Sequence, residues 1–321
     1  MKILTVFTGG TIACSSRNGV LSPEKGNGFL LLDMYKKTDS ETGFETAFPY
    51  NILSENLCAD YLNRLFDCLS GYDLADYDGV IVAHGTDTLQ YTGAFLSLRL
   101  GLCDTPVVLV SANYPLADSR SNGFENFCAA VGFIRSKQGR GVFISYKNAG
   151  DDFVNIHRAS RALPHKPYSD DLESLFNQPY GKVENGTFTK NSDYSETAAE
   201  FEVIGGAFGK NVLYIRPYPG IIYPDNLERY KAVLLEGYHS GTIGTDSREI
   251  SGFCENARKN GVPVYLVGAE KGFNYESKQE FDRLGIKVLP PISPITAYMK
   301  LCTAATPTEI FNFQLSIYDL L

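Results

Sequence analysis

The chain has no dense run of Lys or Arg, and its 37 acidic residues outnumber its 29 basic ones, for a formal net charge of −8. A surface of that sign repels phosphate backbones, so nucleic acid is excluded as a main partner. The four histidines, His84, His157, His165 and His239, are scattered, and no CxxC occurs. Both absences speak against a metal centre. No stretch reaches the ~18 apolar residues a membrane span needs. The opening MKILTVFTGG is too short an apolar run for a signal peptide. No GxGxxG run and no Walker lysine mark a nucleotide site, and no repeat of solenoid period appears. The seven cysteines are odd in number, widely spaced and often set in apolar stretches such as LRLGLCD. They are expected as free thiols in a reducing compartment, which, with the absent leader and membrane span, points to the cytoplasm.

What is present suits two ordinary globular domains: 321 residues, 44% hydrophobic and 21% charged. Apolar β-branched runs recur at Lys2–Phe7, Gly79–Ala83, Pro106–Val110 and Gly141–Tyr146. Helical patterns stand between them, at Cys58–Leu69, at Thr88–Leu100 and around Asn126–Val131. Near-continuous apolar strands alternating with helices predict a largely parallel sheet covered on both faces. Residues 15–50 read as a long loop with a little structure at Phe29–Met34, and such loops are usually functional. Asn51–Leu53 is a short strand ending at Ser54. Residues 147–210 read as irregular, and polar composition around 177–198 suggests a linker. Strands resume at Val212–Ile215, Ala232–Leu235, Val262–Val267 and Ile286–Leu289, with helices near 247–260, 276–284 and 294–304. The expected fold class is therefore α/β: a larger N-terminal, mostly parallel-sheet domain over 1–185, a linker over 186–207, and a smaller C-terminal α/β domain over 208–321.

Two turns follow buried strands and carry threonines beside glycines: Thr8-Gly9-Gly10-Thr11 and His84-Gly85-Thr86-Asp87-Thr88. Glycine lets the backbone turn sharply and approach a ligand. A threonine just past such a turn presents its hydroxyl at the carboxyl end of the sheet, where α/β proteins bind ligands. Neighbouring peptide N–H groups offer an oxyanion hole there, and a helix N-terminus at Thr86 favours developing negative charge. Asp87 suits a substrate ammonium group and Ser54 a substrate carboxylate. The plainer reading of these residues is helix caps and turn residues.

The residues Thr8-Gly9-Gly10-Thr11-Ile12-Ala13 and His84-Gly85-Thr86-Asp87-Thr88-Leu89 resemble the two signatures of the asparaginase/glutaminase-type amidohydrolases. Leu109–Leu116 with Arg120–Gly123, and Arg216-Pro217-Tyr218-Pro219-Gly220, resemble further segments, so the resemblance spans most of the chain and is nearer the cytoplasmic type. It implies hydrolysis of L-asparagine to L-aspartate and ammonia, with another small amide (glutamine or a D-amino acid amide) or amino-acid binding without full turnover as the alternatives. It implies no metal, no organic cofactor, and a homodimer or homotetramer whose sites a neighbouring subunit completes. Carried over by position, Thr11 is the nucleophile, Thr86 positions or activates water, and Asp87 binds the substrate amine. Gly10, Ser54, Glu55 and Ala112 fall at substrate-contacting positions. Two positions depart from the family pattern. Val20 stands where a tyrosine of the first loop is expected, with Tyr35 the next downstream. Arg158 stands at the family's lysine, with His157 its near rival. Arginine stays charged at any relevant pH and cannot act as a base, though it can polarise a neighbour. Glu270 and Glu276 lie where the family places an acidic residue for the adjoining subunit.

Overall fold

The computed structural model describes the chain except residues 11, 13, 18–19, 24–26, 196–202, 210, 270–274 and 305–321, and without the side chains of 14–17, 20–23 and 27–28. It divides into two compact units, one over residues 1–195 and one from residue 204 onward.

The first unit is built on an eight-stranded sheet. Its strands are β1 (Lys2–Phe7), β4 (Gly43–Ala47), β5 (Gly79–Ala83), β6 (Val107–Val110), β7 (Val142–Tyr146), β8 (Val154–Arg158), β9 (Gly181–Glu184) and β10 (Thr187–Lys190). Their order is β10-β9-β8-β7-β6-β5-β1-β4. The five strands from β4 to β7 are parallel, and β8, β9 and β10 add antiparallel to the far edge. Every residue of β5, β6 and β7 is buried. Each such Val, Ile or Leu contributes roughly 1.5–3 kcal/mol of burial, which makes these strands a rigid floor for whatever their carboxyl ends carry. The helices are α1 (Asn27–Lys36), α2 (Ala59–Ser70), α3 (Leu89–Leu100) and α4 (Gly123–Ser136). In α2, Leu62, Leu65 and Leu69 are buried at helical spacing, and Asp60, Arg64, Asp67 and Ser70 are exposed.

Two stretches that read as irregular are ordered. Within 15–50 stand the hairpin β2 (Cys14–Arg17) and β3 (Val20–Pro23), the helix α1, and β4. β4 (GFETA) alternates exposed and half-buried residues, because it is an edge strand supported by β1 alone. An edge strand lacks the continuous apolar run that marks β5 or β6. Within 147–210 stand β8, β9 and β10. The sheet thus continues past residue 185, since β9 and β10 pair across Asn185-Gly186, both at positive φ. That two-residue loop is a hairpin signal written in the sequence.

The second unit holds a four-stranded parallel sheet, β11 (Val212–Ile215), β12 (Ala232–Glu236), β13 (Val264–Val267) and β14 (Ile286–Val288), in that order. Helices α5 (Arg248–Lys259), α6 (Glu276–Leu284) and α7 (Pro294–Thr303) accompany it. Ser247 caps α5 by accepting from the Ile250 N–H. The two units together form the expected α/β class, mixed but mostly parallel in the first sheet and wholly parallel in the second. Six cysteines are described and all are free thiols. Among the described residues, no helix is long and apolar enough to cross a membrane.

Candidate active site

The two glycine-threonine turns end adjacent parallel strands, and the chain stitches them together. The Thr8 N–H and Oγ1 both donate to the Ala83 carbonyl, at 3.1 and 2.9 Å. The segment after Tyr50 runs alongside: Gly10 N–H donates to Ile52 O at 2.9 Å and Ile52 N–H to Thr8 O at 3.1 Å. Three stretches of bare backbone then meet. A Cβ on Gly10 (φ +76°) would lie 2.3 Å from Gly85 Cα, and one on Gly85 would lie 2.4 Å from Ser54 Oγ. Only glycine allows so close an approach, and only glycine adopts that φ without strain.

Asp87 and Ser54 are joined where these stretches meet. Ser54 Oγ donates to Asp87 Oδ2 at 3.4 Å, and Thr88 Oγ1 donates to Ser54 O at 2.9 Å. Asp87 is exposed and Thr86 half-buried, so the carboxylate faces solvent while anchored on one side. The N–H groups of Thr86 and Asp87 make no hydrogen bond to any described residue. They belong to the two residues before Thr88, the N-cap of α3, and so lie near the positive end of that helix. The arrangement offers a carboxylate for a cation beside N–H donors for an oxyanion.

Behind the second turn lies a buried polar lattice. His84 Nδ1 is 2.8 Å from Gly85 O and its Nε2 is 2.9 Å from Thr92 Oγ1 on α3. Ser111 Oγ donates to His84 O, and Asn126 Nδ2 donates to Ser111 O. The loop after β6 is closed by reciprocal bonds between Asn113 and Asn122. Ser111, Thr92 and Asn126 carry no sequence signal of their own. A buried polar residue on an apolar strand or helix is the only hint, and it shows its meaning once partners are known.

The remaining expected site residues are placed as follows. Glu55 is exposed in the short 3-10 turn Ser54–Asn56. Ala112 is fully buried with its methyl against Gly123, so any contact with substrate falls to its peptide groups. Thr11 and Glu270 lie outside the described residues, as does the side chain of Val20. Tyr35 belongs to the buried core of the first unit. It is buried near the end of α1, edge-on to Phe44 and Phe127, with its hydroxyl donating to Asp39. Glu276 is exposed in the first turn of α6, where a carboxylate favours the helix dipole.

The structure does not bring Arg158, expected at the family's lysine position, to the two turns. β8 runs antiparallel to β7 and sets Arg158 opposite Phe143, toward the start of β7 and away from the carboxyl ends that carry the turns. Its guanidinium lies 4.3 Å from the Phe143 ring centre and 5.1 Å from that of Tyr180, and Nη1 donates to Arg140 O. Side chains alternate faces along a strand, so His157, opposite Ile144, points to the other face. We expect Arg158→Ala to cost about 1–3 kcal/mol in urea unfolding, from the lost stacking and hydrogen bond. Its kcat/KM for any amide substrate should stay within about threefold of the parent. A hundredfold loss of turnover at unchanged stability would return Arg158 to the site.

His157 is buried, with Nδ1 2.7 Å from Ser174 Oγ. Burial pushes its pKa down to about 3, and that of His84 down to about 4. Both are neutral in the folded protein at pH 7. The unfolded chain binds their protons near pH 6.5, so it takes up more protons than the folded state as pH falls below that value. Stability is therefore full above pH 6.5 and declines below it, by about 1.4 kcal/mol per pH unit for each group until its folded pKa is reached. Urea unfolding at pH 7 and pH 5 measures this directly. Equal stability at the two values would show that these imidazoles are not held neutral.

The chain is similar to several known proteins. A family profile described as "Asparaginase, N-terminal" matches residues 2–194. Two curated relatives are glutamyl-tRNA(Gln) amidotransferase chains, one from Methanosphaera stadtmanae and one from Methanobrevibacter smithii. The first is 26% identical over 98% of this chain and 73% of its own length, the second 27% identical over 94% and 71%. Among solved structures, the thermostable L-asparaginase from Thermococcus kodakarensis superposes with a TM-score of 0.75 at 22% identity, covering 98% of this chain and 97% of that one. A probable cytoplasmic L-asparaginase from Campylobacter jejuni superposes with a TM-score of 0.72 at 20% identity, covering 98% and 99%.

Proposed function

From the premise that the chain belongs to the asparaginase family, we propose that it hydrolyses L-asparagine to L-aspartate and ammonia. The observation that carries this reading is the meeting of Gly10, Gly85 and Ser54 beside the exposed Asp87 carboxylate. It brings the chain just before Thr11 against the chain just before Thr86, with a carboxylate for the α-ammonium group of an amino acid. In this reading the Thr11 hydroxyl attacks the side-chain amide carbon. The oxygen gathers charge toward the Thr86 and Asp87 N–H groups ahead of α3. Collapse of the tetrahedral intermediate expels ammonia and leaves an acyl-threonine ester, which water then cleaves. Thr86 orients that water, Ser54 holds Asp87, and Glu55 and the Ala112 peptide border the substrate. The protein acts as a homodimer or homotetramer in the cytoplasm, on a free amino-acid amide and without metal or organic cofactor.

A second reading is favoured by the curated relatives, which are named as amidotransferases of glutamyl-tRNA(Gln): the amide hydrolysed is that of glutamine, one methylene longer. Ammonia release with L-asparagine, L-glutamine and their D-forms, measured in parallel, separates the two. Turnover of L-asparagine at least tenfold better in kcat/KM than of L-glutamine supports the first. No release from any of the four, with aspartate still binding, would make the protein an amino-acid binder rather than a hydrolase.

Asp87→Ala tests the site from the binding side. A desolvated charge-assisted contact is worth roughly 1.5–3 kcal/mol. Calorimetry should show aspartate affinity falling about 10- to 100-fold at unchanged melting temperature. Unaltered affinity would remove Asp87 from the site.

A further inference from the structure

We infer that His84 is a positioning residue: its imidazole turns the Gly85–Thr86 peptide so that the Thr86 N–H faces the reacting amide. The inference rests on the amide-hydrolase reading above, and it concerns a side chain that never touches substrate.

Each ring nitrogen of His84 has its own partner. Nδ1 lies 2.8 Å from the Gly85 carbonyl oxygen, which can only accept. Nδ1 therefore carries the proton. A neutral imidazole then has a bare Nε2, and the Thr92 hydroxyl, 2.9 Å away, must donate to it. The neutral form is held by burial: the ring is 2% exposed and its pKa is pushed down to about 4. One tautomer thus forms a directed chain, from the Thr92 hydroxyl to His84 Nε2 and from His84 Nδ1 to Gly85 O.

Both ends of this chain are fixed. Thr92 belongs to α3, where its own N–H donates to Thr88 O. His84 is held through its N–H to Val110 O and through its carbonyl by the Ser111 hydroxyl. The Gly85 carbonyl is consequently drawn toward the buried ring. No peptide bond among the described residues is cis, that between Gly85 and Thr86 included, and in a planar trans peptide the N–H points opposite to the C=O. The Thr86 N–H is thereby aimed away from the core. It makes no hydrogen bond to a described residue, as an oxyanion donor should before substrate arrives. Gly85 needs such an anchor, because a glycine peptide has no side chain to limit its rotation.

A histidine that only fills the core would show the same burial, so the test separates the two nitrogens. Asparagine places an amide nitrogen near the Nδ1 position, and glutamine reaches only toward Nε2. With L-asparagine, or whichever amide the parent turns over, His84→Asn should keep kcat within about tenfold of the parent. His84→Gln should lose about 100-fold or more in kcat with KM changed less than threefold, because the donor acts on the oxyanion and not on the ground state. Nitrogen NMR of the parent should show the Nδ1-protonated tautomer. The Thr86 amide resonance should move in the glutamine variant and hold in the asparagine variant. Equal kinetic losses in both variants that track their melting temperatures would reduce His84 to a core residue and overturn the inference, as would an Nε2-protonated tautomer. If the parent releases ammonia from no amide, the functional reading fails. The tautomer and the Thr86 resonance then still decide whether His84 sets this peptide.

Discussion

Gly10→Ala is expected to lower kcat/KM at least 100-fold and to destabilise the first unit by about 2–4 kcal/mol. Two separate costs add. The residue sits at φ +76°, where a side chain costs roughly 1–2 kcal/mol. The added methyl also lands 2.3 Å from both Gly85 Cα and Gly85 N. Those atoms are backbone, and the Gly85 peptide is held from behind by His84, so no rotamer change relieves the overlap. The two turns must part by about an ångström, and displacement on that scale at a reacting centre costs on the order of 100-fold in rate. Gly186→Ala separates the two costs. Gly186 has the same φ of +76°, but a Cβ there meets nothing within 4 Å. It should lose only the backbone strain, about 1–2 kcal/mol, and keep full activity. Urea unfolding and ammonia release on both variants make the comparison. Parent-like activity in Gly10→Ala would mean that the contact between the turns has no part in the chemistry.

How plainly a strand shows in the sequence depends on its burial and on the partners of its polar residues. Strands buried on both faces announce themselves: GVIVA and VVLV are continuous apolar runs, and β5 and β6 stand where those runs do. An edge strand does not, nor does a buried strand whose polar residues are paired. β4 keeps glutamate and threonine because only β1 flanks it, and β8 reads VNIHR because its polar residues find partners that the sequence cannot name. His157 has Ser174, and Arg158 has two aromatic rings and a carbonyl. The β9–β10 hairpin shows a different failure. Its Asn-Gly turn is visible, but polar composition around it reads equally well as a linker. At the site, the glycine turns are legible because their chemistry is local: a glycine pair after a buried strand has few other uses. Ser54 and Asp87 belong to separate segments and meet only in the fold. The place of Arg158 beside Phe143 and Tyr180 is hidden from the sequence for the same reason. Position along the chain gives a residue's number on a strand, while its face and its end of the sheet depend on where that strand pairs.

Thr11→Ala is expected to remove at least about 1,000-fold of kcat while leaving the unfolding transition within about 1 kcal/mol of the parent. Alanine keeps the Cβ and deletes the oxygen that forms the acyl bond, so no ester intermediate forms. Residual turnover would come from water attacking an amide still held by Asp87 and still facing the N–H groups ahead of α3. Aspartate binding by the variant should therefore persist, within about tenfold of the parent affinity, because the carboxylate and the donors are untouched. The chemistry allows a direct check on the intermediate. Rapid denaturation of the parent during turnover, followed by mass spectrometry, should find the acyl adduct on the peptide carrying Thr11, and the variant should carry none. An adduct on Thr86 would exchange the roles of the two turns: the second would attack and the first would supply the oxyanion donors. Full activity in Thr11→Ala would show that water attacks the amide directly, with Asp87 and the peptide donors as the groups that remain to bind substrate and charge.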